Sequence, residues 1–284
     1  MTIMMKAREA ADVVYAEICT KVNVLKKQGI QPRLDTILID GDPASAYYAL
    51  AKQKIAAKLG IEFQLHRFAA TVTDNDVLQL IRQLNANSAV HGIMLELPLP
   101  PHLSTNIIAK AIIPMKDIDG VTPDNKLATI TGELGLYPAT PQACIQLVKH
   151  YGYSLNGANV TLVGRGQTVG LPLFHLLQRE QATVTVCHSR TPDLAYHLKH
   201  ADIAFAAAGC PGMITQEMVH PDLVIIDAGI NELDNGKIVG DTAASLIGYV
   251  KALSPVPGGV GTLTTALLYE NLMKAISIQT GEVS

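Results

Sequence analysis

The chain has 284 residues, 48% of them apolar and 17% charged, with a formal net charge of −3. It is long enough to bury the core of one large domain or two of ordinary size. The lack of a global basic field argues against nucleic acid or an anionic membrane surface as the main partner, leaving a small molecule as the expected one.

The opening residues, M-T-I-M-M-K-A-R-E-A-A-D, lack the apolar core of a signal peptide and lead into a charged amphipathic helix. Short apolar runs then alternate with helical patterns. Residues 34–39 read as a strand, Ser45 to Leu59 as a helix closed by Gly60, Phe63 to Phe68 as a strand, and Asp74 to Asn85 as a helix capped by aspartate. Gly92 to Leu97 reads as a buried strand running into a proline turn. Within it, G-I-M-L-E-L-P-L-P-P places Glu96 among apolar neighbours. A buried carboxylate must be paired, protonated or functional, because removing its water without compensation is costly.

A segment rich in Gly, Pro, Asp and Thr, Asp119 to Pro141, reads as a loop between two series of elements. The second series has strands near residues 160–163, 183–187, 203–207 and 223–227, separated by helix-length gaps, and ends in a helix from about Thr262. Alternation of this kind predicts two α/β domains with mainly parallel sheets. Four scattered cysteines, with no C-x-x-C and no short Cys/His spacing, indicate neither a metal site nor a disulfide framework, and a reducing cytoplasm is the expected location. No run of eighteen apolar residues suggests a membrane span.

Two constellations carry chemistry. V-T-L-V-G-R-G-Q-T-V-G places Gly164, Gly166 and Gly170 between a strand and a helix, one residue longer than the usual dinucleotide fingerprint. Alone, the pattern also suits a plain strand-to-helix turn. The next strand ends in Cys187-His188-Ser189-Arg190-Thr191, with no acid to hold ribose hydroxyls or repel a 2′-phosphate. Arg190, with Arg165, can supply charge-assisted hydrogen bonds to that phosphate, which favours NADP, although solvated loop arginines are ordinary. In the first series, Tyr48 and Lys52 are four residues apart and share a helical face. Such a pair can donate a proton or clamp a charge, and it is also a common surface contact.

The blocks D-P-A-S-x-x-Y-x-x-x-K, G-I-x-x-x-L-P-L-P, K-D-I-D-G (residues 116–120), V-G-R-G-x-x-V-G-x-P, V-T-V-C-H-S-R-T, I-D-A-G-I-N (residues 226–231) and P-V-P-G-G-V-G (residues 255–261) occur in this order. Together they resemble the methylenetetrahydrofolate dehydrogenase/cyclohydrolase family over nearly the whole chain. The resemblance implies two α/β domains around a cleft, the second a Rossmann-like dinucleotide-binding domain with a parallel sheet, and a homodimer. A folate-binding catalytic domain would span residues 1–137, with residues 262–284 packing back on it, and an NADP-binding domain residues 138–261. The implied reactions are oxidation of methylene-tetrahydrofolate by NADP to the methenyl form and hydrolysis of that form to formyl-tetrahydrofolate. Lys52 would be the principal catalytic group, Tyr48 would orient the folate, Asp119 would bind the pterin, and Pro257, Gly258 and Gly259 would line the substrate site. Gly164, Arg165, Gly166, Ser189, Arg190 and Ile230 would contact the cofactor.

The chain departs from the family pattern in several places. Glu96 stands where glutamine is common, and is expected to face Lys52 and favour its ammonium form by opposite-charge pairing, which exposes the hydrolytic step more than the dehydrogenase step. Gly166 replaces a serine and so removes a hydroxyl from the phosphate turn. Ala139 and Thr262-Leu263 replace other family residues, and Asn125-Lys126-Leu127-Ala128 lacks a usual glycine. These departures support an alternative, a divergent folate- or nucleotide-binding protein with weak or lost catalysis. An NADP-dependent dehydrogenase for another substrate is a third reading, which the Lys52 and Asp119 blocks oppose.

Overall fold

Helix and strand alternate from the first residues onward in the computed structural model, which describes residues 1–233 and 235–282 without the side chains of Pro43 and Ala44. The first half of the chain runs β1 (Ile3–Met4), α1 (Arg8–Lys27), β2 (Arg33–Ile39), α2 (Pro43–Leu59), β3 (Glu62–Phe68), α3 (Asp74–Ala86), β4 (Gly92–Leu95), α4 (Thr105–Ala111) and α5 (Pro123–Thr131). The second half continues with α6 (Ala139–His150), β5 (Asn159–Val163), α7 (Gly170–Arg179), β6 (Thr183–Cys187), α8 (Leu194–Lys199), β7 (Ile203–Ala206) and β8 (Val224–Asp227). It ends with β9 (Asn231–Glu232), β10 (Ile238–Val239), β11 (Ala252–Leu253) and α9 (Val260–Thr280). The last two residues of the expected 262–284 segment lie outside the described residues.

Packing divides the chain into two units, one of Met1–Val13 with Pro138–Leu267 and one of Val14–Tyr137 with Leu268–Ser284, so the division falls inside α1 and α9. In the second of these, β3, β2 and β4 form a parallel three-stranded sheet in that order. All four residues of β4 are buried, as expected of a strand covered on both faces, and Ile37, Ile39, Val77, Ile81, Ile93 and Ile108 pack together in its core. In the unit of Pro138–Leu267, six strands in the order β1-β11-β8-β7-β5-β6 pair in parallel throughout. Its core gathers Leu198, Ala204, Ile225, Leu246 and Leu253. The parallel α/β class is therefore as the sequence predicts.

Three local expectations need correction. Thr73, not an aspartate, caps α3: its hydroxyl oxygen accepts from the Asp76 amide while the Asp76 carboxylate accepts from the Thr73 amide, a reciprocal capping box. The expected loop over residues 119–141 contains α5 and the start of α6. Thr122 caps α5, Pro123 occupies its first turn, and Gly132 closes it in the left-handed region. A Thr-Pro start followed by a glycine stop is a helix signature that the density of turn-forming residues conceals. The strand expected to reach Leu97 ends at Leu95; the Glu96 amide still donates to the Ile37 carbonyl at 2.9 Å, and Pro98 has no N–H to continue the ladder.

Candidate active site

The catalytic candidates of the early blocks converge within the unit of Val14–Tyr137. Asp42 begins α2 by accepting from both the amide (3.1 Å) and the hydroxyl (2.6 Å) of Ser45, which fixes the phase of the helix. Tyr48 and Lys52 follow one turn apart, Tyr48 half-buried with its ring edge-on to Tyr47. From α9, the buried Tyr269 hydroxyl donates to the Lys52 carbonyl at 2.6 Å, so the backbone under the lysine is pinned by the end of the chain. Burial pushes the Tyr269 phenol well above its usual range and keeps it a donor.

Glu96 lies just beyond β4, a buried outer strand of the same sheet, and is 6% exposed. Its two carboxylate oxygens accept from Lys52 Nζ at 2.8 and 2.9 Å. The buried carboxylate singled out in the sequence is thus paired, and with the residue expected. Next to β4 runs K-D-I-D-G, held there by a bridge between Ile93 and Asp117. Lys116 is buried and donates to the carbonyls of Leu84, Asn85 and Asn87, closing the end of α3. Asp117, also buried, accepts from the Val121 and Thr122 amides and from Asn125 Nδ2. With both neighbours anchored, Asp119 is presented on a fixed turn that ends in Gly120 at positive φ. Burial pushes the Asp119 carboxyl up to about 6, opposed by the Lys52 charge and assisted by those of Asp117 and Glu96. One ammonium and three carboxylates therefore share a field, a setting in which proton positions respond to small changes in charge.

The cofactor candidates belong to the unit of Pro138–Leu267. The Gly164 amide donates to the Cys187 carbonyl, tying the glycine turn after β5 to the end of β6. Gly164 has φ +109°, and a Cβ there would collide with the Ala207 carbonyl oxygen, so only glycine lets the turn pass. Gly166 and Ile230 face a common pocket of about 260 Å³, together with residues 207–209 after β7 and 228–229 after β8. Ser189 and Arg190 are exposed in the turn after β6, where the Thr191 amide donates to the His188 carbonyl and the His188 amide to the Thr191 hydroxyl. Arg165 is exposed beside Gly164. No carboxylate follows β6 in that turn. Pro257 and Gly258 are exposed and Gly259 is buried, within the same unit as the pocket.

Residues 5–119 match the family model described as the tetrahydrofolate dehydrogenase/cyclohydrolase catalytic domain, and residues 138–280 match its NAD(P)-binding domain. The chain is 51% identical over 267 residues to the bifunctional protein FolD of Heliobacterium modesticaldum, covering 94% of this chain and 93% of that one. The chain belongs to the tetrahydrofolate dehydrogenase/cyclohydrolase family. This dehydrogenase/cyclohydrolase works in folate one-carbon metabolism, and its two α/β domains are a catalytic domain and an NAD(P)-binding domain. It superposes on the crystal structure of FolD from Campylobacter jejuni with a TM-score of 0.94, 35% identity and coverage of 98% of this chain and 100% of that one. It is also similar to the Trypanosoma brucei dehydrogenase-cyclohydrolase complexed with NADP and an inhibitor, at a TM-score of 0.92, 31% identity and 98% coverage of both chains. Among the described residues no helix of the enzyme is long and apolar enough to cross a membrane.

Sequence reasoning missed Tyr269, which lay in an unremarkable helical pattern, and Asp241, whose only signal was a Gly-Asp-Thr run between two short strands. It also missed the contribution of residues 207–209 to the pocket beside Gly166, because A-A-A-G carries no side-chain chemistry.

Proposed function

We propose that the enzyme oxidises methylene-tetrahydrofolate with NADP and hydrolyses the methenyl product to formyl-tetrahydrofolate, with the Lys52–Glu96 pair as the catalytic centre. The observation that carries this reading is the ion pair of Lys52 Nζ with both carboxylate oxygens of Glu96, in a field shared with Asp119. Lys52 supplies a positive charge and, with two of its N–H groups donated to Glu96, one N–H donor to the folate, and Tyr48, one turn earlier on α2, orients the ring. Asp119 accepts from the pterin donors when ionised, above a pH of about 6. NADP, when bound, accepts the hydride. Gly164, Arg165, Gly166, Ser189, Arg190 and Ile230 hold it, with the two arginines on the 2′-phosphate, and Pro257, Gly258 and Gly259 contact the folate. The functional division follows residues 1–137 with 262–284 for folate chemistry and 138–261 for the cofactor, and the working form is a cytoplasmic homodimer.

In the hydrolytic step a proton must leave the attacking water and another must reach a folate nitrogen. Glu96 occupies two of the Lys52 N–H groups, so the step depends on how tightly that pair is held. The test is direct. Purified protein with methylene-tetrahydrofolate and NADP should yield NADPH and then formyl product, NAD should substitute poorly, and Lys52→Met should abolish both steps. Folded protein that turns over neither methylene- nor methenyl-tetrahydrofolate would overturn the assignment of the centre.

A further inference from the structure

Two fully covered carboxylates, Asp227 and Asp241, lie behind the cofactor pocket and have no part in the chemistry described above. Asp241 Oδ2 accepts from the amides of Ala208 (2.7 Å) and Gly209 (3.0 Å), and its Oδ1 from the Cys210 amide (2.9 Å) and Asn231 Nδ2 (2.9 Å). Asp227 Oδ1 accepts from the Gly229 amide (2.9 Å) and the Asp241 amide (3.1 Å), and its Oδ2 from the amide (2.9 Å) and hydroxyl (2.6 Å) of Thr242. Eight donors thus converge on four oxygens. The segments that supply them include two walls of the pocket, residues 207–209 and 228–230.

These bonds do not follow from the sheet. β7 ends at Ala206 and β8 at Asp227, so each wall begins where the strand ladder stops. Residues 208–210 direct three successive amides inward at one carboxylate, a concave arrangement of backbone donors that favours an anion. The anion here comes from the protein itself, from a separate segment after β10. Gly229 is the point of closest approach, where a Cβ would overlap the Asp241 carboxylate, so the second wall also lies against the same side chain.

We propose that Asp241, itself held by Asp227, is a positioning residue for the dehydrogenase reaction: its carboxylate clamps the 207–210 and 228–231 turns in the form that accepts the NAD(P) cofactor. The inference rests on the cofactor reading of the pocket given above. Because Asp241 is buried behind the walls, it acts on cofactor affinity through backbone placement and not by contact. Hydrolysis of the methenyl substrate consumes water and no cofactor, which makes it an internal control.

The experiment compares Asp241→Asn with the unaltered enzyme. The amide keeps the shape but presents N–H groups to at least one inward amide donor, and a donor facing a donor is repulsive. The expected result is at least a tenfold rise in the KM for NADP in the dehydrogenase reaction, a kcat within threefold, and cyclohydrolase activity within twofold. Amide hydrogen exchange on the cofactor-free protein should accelerate at residues 208–210 and 229 and not in the Val14–Tyr137 segment. Asn231→Ala, which removes one of the four donors to Asp241, should give a smaller shift in the same direction and guards against a folding defect. Unchanged cofactor KM in both variants, or equal loss of both activities, overturns the positioning role. If the unaltered protein itself binds no NADP or NAD by titration, the cofactor reading fails and this inference falls with it, a result distinguishable from normal binding in all three proteins.

Discussion

Replacing Glu96 with glutamine should shift the balance between the two reactions. In the native structure both carboxylate oxygens accept from Lys52 Nζ, at 2.8 and 2.9 Å, and Glu96 is only 6% exposed while the lysine side chain is 16% exposed. A glutamine of the same shape offers one acceptor, and its amide nitrogen cannot face an ammonium. One of the two charge-assisted hydrogen bonds is therefore lost, each worth about 1.5–3 kcal/mol. The surviving bond strengthens somewhat, so releasing one Nζ–H from the pair is worth about 1.4 kcal/mol net, or roughly tenfold in rate. The released donor benefits hydrolysis, in which a proton must be delivered to a folate nitrogen, more than hydride transfer, which needs charge and orientation. Glu96→Gln should raise the ratio of cyclohydrolase to dehydrogenase kcat by about tenfold. The ratio is read by following methenyl-tetrahydrofolate disappearance and NADPH formation on the same preparation. A ratio that stays within twofold in a fully folded variant would refute a catalytic role for the pairing.

Lys52→Met should lose both activities and also destabilise the fold, since an unpaired buried carboxylate remains; with the lysine partly solvated the cost is about 2–3 kcal/mol, less than for a fully buried pair. Urea unfolding at neutral pH measures it, and the double variant Lys52→Met/Glu96→Gln should recover most of the loss. The Asp119 carboxyl, raised by burial from 3.8 to about 6, binds its proton more tightly in the folded state. Its contribution to stability is therefore full below pH 4 and disappears as the pH rises through 6, a change of about 1–3 kcal/mol once its partial exposure is allowed for. Asp119→Asn should flatten that part of the stability profile, and a wild-type curve already flat between pH 4 and 6 would contradict the burial effect. Arg190→Ala should raise the KM for NADP by about tenfold or more, as expected for loss of a charge-assisted phosphate contact, and leave the KM for NAD unchanged. Equal effects on both cofactors would move the 2′-phosphate site elsewhere.

Much of this was legible in the residues themselves. The parallel α/β class followed from apolar runs at the right length, and those runs lie within two residues of the observed strands at β2, β3, β5, β6, β7 and β8. Glu96 announced itself because a charge inside a buried strand is costly, and the structure supplies the compensation as Lys52. Helix α5 was hidden for the opposite reason: its capping and stop residues are the same types that make turns, and only their order distinguishes the two. The pinning of Lys52 by Tyr269 depends on a separation of 217 residues, which no local pattern encodes. The Asp227–Asp241 clamp is invisible for a related reason, since six of its eight donors are backbone amides, which carry no residue-specific signal.

The hydrogen bond from Tyr269 to the Lys52 carbonyl bears on how the protein is made. Residue 52 leaves the ribosome long before residue 269 is translated, so a nascent chain can form the early sheet while the backbone beneath its lysine still lacks its anchor. With Lys52 in its proposed role, competence therefore waits for α9, and chains released before it by a stalled ribosome would be poor enzymes even where their first hundred residues had folded.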